Sequence, residues 1–196
     1  ADPAAWRARL GVPPDASLAC MLANLRAPKD PLALLRAWAR TVPPDMPPER
    51  RPHLVLAGRA DELADAVQAL RGELGLEASV HLAGCVEDVA GLLAACNFAV
   101  FASRSEGLPN GVLEPMAAGL AMAATDLPGI RFALGPAGSA SLASVGDVAG
   151  LASVLSRLLA DPALRSDWGR RNRARAELVF ALDRVAEQMI TLLSLK

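Results

Sequence analysis

The stretch FAVFASRSEGLPNGVLEPMAAGLAMAATDLPGI, Phe98 to Ile130, decides the fold. It opens on an unbroken apolar run, Phe98 to Ala102, of the kind found in strands buried on both faces. A loop punctuated by Gly and Pro follows, Ser103 to Asn110. Asn110 to Ala118 then carries a helical pattern that stops near Gly119. Ala121 to Thr125 is a second apolar strand. Strand, loop, helix and strand in this order form a βαβ unit, with parallel strands and a right-handed crossover.

The alternation continues outward in both directions. Toward the N-terminus, Ser17 to Ala23 and His53 to Ala57 read as strands. Between them lie a helix, Pro31 to Thr41, with Leu32, Leu35, Trp38 and Ala39 on one face, and a Pro-rich loop, Val42 to Pro52. Asp61 to Leu74 is predicted helical and closes at Gly75. Val80 to Ala83 is a strand ending at Gly84, and Glu87 to Ala95 is a short helix. Toward the C-terminus, Ser139 to Ser144 is the candidate sixth strand. Asp147 caps a helix over Val148 to Leu159, Pro162 starts a second, and Asp183 starts a third running to about Leu193. The expected class is α/β, a Rossmann-like three-layer domain with a mainly parallel sheet of about six strands and a helical C-terminal tail. Residues 1–16 are expected to be a linker, 17–160 the α/β core and 161–196 the C-terminal helices, all in one domain.

Composition narrows the function classes. The chain has 196 residues, of which 53% are hydrophobic, enough for one sizeable core. A net charge of −1 supplies no basic face for nucleic acid. No apolar run reaches the roughly 20 residues of a membrane span, and the start, Ala1-Asp2-Pro3, has no signal-peptide pattern. The absence of an initiator Met suggests a fragment. Lys occurs only at Lys29 and Lys196, against abundant Arg, Ala, Pro and Gly, a GC-rich bacterial style of coding. Cys20, Cys85 and Cys96 sit in apolar runs and are expected to be buried reduced thiols of a cytosolic protein. No metal-type Cys/His spacing exists. His53 and His81 read as core or surface filler.

Open α/β sheets bind ligands at the carboxyl ends of their strands. The loops there are Asn24 to Asp30, Gly58 to Ala60, Gly84 to Glu87, Ser103 to Asn110, and Asp126 to Arg131. The richest is Ser103 to Asn110, where Glu106, with Glu114 beyond it, flanks a Gly/Pro turn that opens a helix. Gly107 allows close backbone approach or positive φ, Pro109 restrains the turn, and Asn110 is the N-cap candidate. Amides near Gly111 to Leu113 would be left unpaired, an anion site worth about 0.3–1 kcal/mol per nearby charge. Glu114, one turn in, would lean back toward the same mouth and suit a sugar diol; Glu106 could accept from a second sugar. Spacing alone favours the plainer reading, a first-turn glutamate that compensates the helix dipole.

The wording of the segment goes further. Phe98 to Ile130 closely resembles the C-terminal, donor-binding domain of retaining GT-B glycosyltransferases of the E-x7-E, "family four" or group 1 type. The similarity covers nearly the whole chain. RARLGVP at Arg7 to Pro13 looks like the domain's start, NLRAPKDP at Asn24 to Pro31 like its first phosphate loop, and HLAGCVEDV at His81 to Val89 like its base-binding loop. GDVAGLA at Gly146 to Ala152 and the closing helices also follow it. The resemblance implies that Glu106, the catalytic candidate, holds donor-sugar hydroxyls. Gly107, Leu108, Pro109, Asn110, Gly111 and Val112 would offer backbone to sugar and diphosphate. Glu114 would hold the ribose diol, Lys29 would neutralise the diphosphate with Arg26 or Arg59 as helper, and backbone at Cys85 and Val86 would receive the base. The resemblance implies no metal and no cofactor beyond a UDP- or GDP-linked sugar. It also implies an N-terminal acceptor domain that this chain lacks, so the chain alone would bind nucleotide without turnover. Any membrane contact would fall to that missing domain, and the closing helix would pack back toward it.

Several positions depart from the pattern. Asn24 stands where many members carry Arg, Gly58-Arg59-Ala60 replaces Gly-x-Gly, Ala121 replaces a common Pro, and Gly129-Ile130-Arg131-Phe132 lacks a usual carboxylate. Competing motifs are absent: no G-x-G-x-x-G after the first strand, no P-loop, no G-x-S-x-G. A GT-B-like epimerase or phosphorylase, or a non-catalytic nucleotide-sugar-binding module, are the alternatives.

Overall fold

A computed structural model describes residues 2–43, 46–186 and 190. Six parallel strands lie in the order β3-β2-β1-β4-β5-β6. They are β1 (Leu18–Leu22), β2 (His53–Ala57), β3 (Val80–Gly84), β4 (Phe98–Phe101), β5 (Ala121–Thr125) and β6 (Leu142–Ala143). The helices are α1 (Pro3–Arg9), α2 (Pro31–Ala39), α3 (Ala64–Glu73), α4 (Val89–Ala95), α5 (Asn110–Ala117), α6 (Pro128–Leu134), α7 (Val148–Ala160) and α8 (Pro162–Val179). The Rossmann-like class expected from the sequence is the class adopted.

The two-residue period of the strands builds two cores. Ala19, Met21, Leu54, Leu56, Phe98, Val100, Ala121 and Ala123 pack with Leu34, Leu35, Trp38, Val67 and Leu155 on one face. Leu18, Cys20, Val55, Ala57, Ala99, Phe101, Met122 and Ala124 pack with Trp6, Leu92, Val112, Met116 and Ile130 on the other. Both faces of β1, β4 and β5 are therefore apolar, which explains their unbroken runs. Each fully buried Leu, Phe or Met contributes about 1.5–3 kcal/mol.

Local chemistry sets several helix starts. Asp30, Asp88, Asp147 and Asp161 each accept a backbone amide three residues on. Pro31, Pro128 and Pro162 occupy first-turn positions, where a missing N–H costs nothing. The expected Asp61 helix begins only at Ala64, and the Glu87 helix at Val89.

Four expectations change. Residues 1–16 are more than a linker: Asp2 caps α1, and Trp6 is buried in the second core. Asp126 to Arg131 is not all loop, because α6 starts at Pro128. The sixth strand shrinks to two residues, because Pro136–Ser141 form a 3-10 turn. The C-terminal helix begins at residue 182, one before Asp183, and its predicted end near Leu193 lies outside the described residues. The tail is also part of the globule at α8, where Trp168 is buried and Asn172 Nδ2 donates to the Leu120 carbonyl at 2.8 Å.

Candidate active site at the crossover

The strand order reverses between β1 and β4, so the loops leaving these two strands diverge and open a crevice. The β1 loop carries Lys29 at the end of a short 3-10 turn, Ala27–Lys29. The β4 loop carries Glu106. The two side chains meet: Lys29 Nζ is ion-paired to Glu106 Oε1, which also accepts from Ser103 Oγ at 2.8 Å. Glu106 is only 11% exposed and Lys29 26%, so the pair is shielded without being sealed. Lys29 Nζ also lies 5.3 Å from the ring centroid of Phe101, the last residue of β4.

Backbone ties hold these loops. Thr125 Oγ1 donates to the Ser103 carbonyl at 2.6 Å, fixing the start of the β4 loop to the end of β5. Arg104 N–H donates to the Pro28 carbonyl at 2.8 Å, and Arg104 Nε to Asp30 Oδ2 at 2.6 Å. Asn24, at a departure from the family pattern, joins the β1 and β2 loops, because its Oδ1 accepts from Arg59 N–H at 3.0 Å. At another departure, Arg131 pairs with Asp126 through two hydrogen bonds of 2.9 and 2.7 Å.

The start of α5 faces the same crevice. Gly111 is required there, because a Cβ would lie 2.3 Å from the Leu22 carbonyl oxygen and 2.6 Å from the Phe101 ring. The cap differs from expectation. Pro109, buried, is the N-cap, and Asn110 is the first helical residue with no capping role. Val112 and Leu113 amides donate to the Pro109 carbonyl, so the first-turn amides outside the helix ladder are those of Asn110 and Gly111. Gly107 lacks positive φ and a Cβ there would meet nothing, but a close backbone approach does occur at its carbonyl, on which Gly129 packs. Leu108 is exposed at the loop tip.

The remaining predicted residues lie at separate places along this edge. Glu114 is exposed and lines an apolar groove of about 560 Å³ between α4 and α5, with Val89, Leu93 and Ala117. Arg26 faces Glu62 at 3.8 Å and Asp61 at 4.0 Å; Arg59 also faces Asp61 at 4.0 Å. Both arginines are exposed on the β1 and β2 loops. Cys85 is exposed, against the expectation of three buried thiols, because it follows Gly84 (φ 63°) out of the sheet. Val86 turns back toward the second core. Cys20 and Cys96 are buried, and the Cys96 hydrogen bond together with burial pushes the Cys20 thiol well above its usual range. His53 and His81 stack, with Nδ1 and Nε2 2.8 Å apart.

Sequence reasoning did not single out Ser103, Asp30, Arg104 or Phe101. The Asp-Pro pair at residues 30 and 31 is a helix-start signal, but the partner of its carboxylate is 74 residues away. Among the described residues no group of three or more His, Cys, Asp or Glu could hold a metal, and no helix is long and apolar enough to cross a membrane.

A family model described as glycosyl transferases group 1 matches residues 17–161. The lipopolysaccharide core biosynthesis glycosyltransferase LpsE of Rhizobium meliloti is 27% identical over 190 residues, 97% of this chain and 53% of that protein. The D-inositol 3-phosphate glycosyltransferase of Streptomyces avermitilis is 32% identical over 182 residues, 89% of this chain and 39% of the relative. Among solved structures, Anabaena Alr3699/HepE in complex with UDP superposes with a TM-score of 0.87 at 22% identity, covering 100% of this chain and 53% of that one. Sucrose-phosphate synthase from Thermosynechococcus elongatus superposes at 0.83 with 27% identity, covering 97% and 48%. The chain thus spans about half, or less, of the length of these relatives. With the matched model covering all six strands, the chain belongs to the group 1 glycosyl transferases.

Proposed function

We propose that this chain is the donor-binding half of a retaining GT-B glycosyltransferase, holding a UDP- or GDP-linked sugar over the crossover between β1 and β4. One observation carries the reading: Lys29 and Glu106, 77 residues apart, meet where the strand order reverses. Transfer from a nucleoside diphosphate sugar needs both kinds of group there. A cation stabilises the charge that the leaving diphosphate gains, and a carboxylate accepts hydrogen bonds from the sugar. The amides of Asn110 and Gly111, with the Gly107 to Pro109 backbone and the turn to Val112, would frame the phosphates.

Glu114 would take the ribose diol, the backbone at Cys85 and Val86 the base, and Arg26 or Arg59 a second positive charge. The transferred group is a hexosyl unit, with the anomeric configuration retained. The acceptor and the groups above the anomeric carbon belong to an N-terminal domain outside this chain, a reading supported by the partial coverage of every relative above. No metal is needed, because lysine, arginine and the helix start do the charge work. The cytoplasm, where nucleotide sugars are made, is the proposed compartment. The Anabaena structures with UDP and UDP-glucose support this class of donor.

The test is a thermal-shift and calorimetric panel of UDP, GDP and ADP with their sugar conjugates on the 196-residue chain. A ligand at a hundred times its Kd should add about 2.7 kcal/mol of stability. Binding without transfer is the expected result. Binding of none of them would overturn the proposal, and robust transfer by this chain alone would overturn the need for a second domain.

A further inference from the structure

We propose that Asp30 and Arg104 form a clasp across the crossover that sets the position of Lys29 against Glu106, which makes both of them positioning residues for the donor site. The inference rests on the function proposed above. Arg104 grips the two neighbours of Lys29 at once. Its N–H donates to the carbonyl of Pro28 at 2.8 Å, and its Nε donates to Asp30 Oδ2 at 2.6 Å. Lys29 is thus held on both sides by one residue of the loop that carries Glu106.

Asp30 is well placed for this. Its other oxygen, Oδ1, accepts from Ala33 N–H at 3.2 Å and caps α2, so the carboxylate is anchored before Arg104 reaches it. Its side chain is only 9% exposed. It is also the one non-glycine residue with positive φ (45°) among the described residues, and this left-handed step turns the chain from the Lys29 turn into α2. Such backbone outliers gather where a site must be held in one geometry. Ser103, next to Arg104, is tied to β5 through Thr125. The clasp therefore joins an anchored β1 loop to an anchored β4 loop. Arg104 is more than half exposed and Asp30 keeps its cap bond to Ala33 without it, so the arginine side of the pair adds little to global stability. The expected consequence is a change in where Lys29 sits rather than in melting.

The composition allows a direct readout. Lys29 and Lys196 are the only lysines, so lysine labelled with 13C at Cε gives two signals. The Lys29 signal should be displaced by the Phe101 ring. In Arg104→Met it should move toward the position of an unstructured lysine while the backbone spectrum stays that of a folded protein. Asp30→Asn retains the cap oxygen and tolerates positive φ, and it should move the signal the same way. Affinity for whichever of UDP or GDP the wild type binds should fall about tenfold in both variants, with affinity for the free nucleoside unchanged. An unmoved Lys29 signal in both variants overturns the clasp. So does movement in Asp30→Asn alone, which would assign the effect to the α2 cap. If the wild type binds no nucleotide, the proposed function fails, and the lysine signal still decides the clasp.

Discussion

Gly129 packs so tightly on the carbonyl of Gly107 that a Cβ on Gly129 would lie 1.4 Å from that oxygen. The loop bearing Glu106 therefore rests on the first turn of α6, and any side chain at residue 129 must lift it. A Cβ at Gly107 would meet nothing. Gly129→Ala is expected to cost roughly 1–3 kcal/mol as overpacking. Gly107→Ala should stay within about 0.5 kcal/mol of wild type. Urea unfolding midpoints of the two variants check this, and similar costs for both would contradict the packing described.

The histidine pair makes stability depend on pH. Burial first, then the charges of His81, Arg7 and Arg51, lowers His53 to about 4 from its ordinary 6.5. Burial and Arg71 lower His81 as well. Between pH 6.5 and about 4 the unfolded chain binds protons at His53 that the folded chain refuses, so stability falls as pH falls and levels off below 4. The loss attributable to His53 should be on the order of 2 kcal/mol once solvent screening of the ring is allowed for. Denaturation midpoints measured from about pH 7 to pH 4 should show it, and His53→Gln should flatten the slope. An unchanged slope in that variant would remove His53 as the cause.

What the sequence made legible was local chemistry. β2 and β5 were readable to the residue because buried parallel strands are apolar on both faces and end at Gly58 and at Asp126. Asp147 and Pro162 announced α7 and α8 through cap and N1 chemistry that involves only a few neighbouring residues. The helix α6 escaped because Pro128-Gly129 reads equally as a turn and as a helix start. In the site, Glu106 stood out in its Gly/Pro loop, and Lys29 was implied by the resemblance of NLRAPKDP to a phosphate loop. Their mutual contact, the Asp30–Arg104 bond and the Gly129–Gly107 approach were not, since each joins segments that only the folded sheet brings together.

Trp6 is the clearest case of a contribution hidden by brevity, because a seven-residue helix offers too few turns for a periodic pattern. Its ring fills the second core, and its Nε1 donates to Asp88 Oδ2 at 3.2 Å. Asp88 in turn caps α4 through Gly91 N–H at 2.9 Å, and these two hydrogen bonds, the Gly91 one first, hold its carboxyl below the usual carboxylate range. Trp6→Ala should cost about 3 kcal/mol or more, as large aromatic truncations do. A chain trimmed to start at residue 17 should lose at least as much. Thermal unfolding of the two proteins checks the prediction, and a trimmed chain as stable as the parent would show that α1 is dispensable.

Lys29 and its two candidate helpers, Arg26 and Arg59, should not be equivalent toward the diphosphate. Lys29 is shielded, projects over the crossover and already faces Glu106 across the crevice. A charge-assisted hydrogen bond formed there is worth about 1.5–3 kcal/mol. Arg26 and Arg59 are exposed; both face Asp61 at 4.0 Å and Arg26 also faces Glu62 at 3.8 Å, so solvent screens these charges and the loss of either is felt weakly at the crevice. Lys29→Met is therefore expected to weaken nucleoside diphosphate binding by about tenfold to a hundredfold. Arg26→Met and Arg59→Met should each shift it by about threefold or less, with a steeper loss in low salt. Calorimetric titrations of the three variants at two ionic strengths give the comparison. If Arg26→Met lost as much as Lys29→Met, the loop after β1 would have to close on the ligand by moving Arg26 away from Asp61 and Glu62, and the bound geometry would differ from the one described.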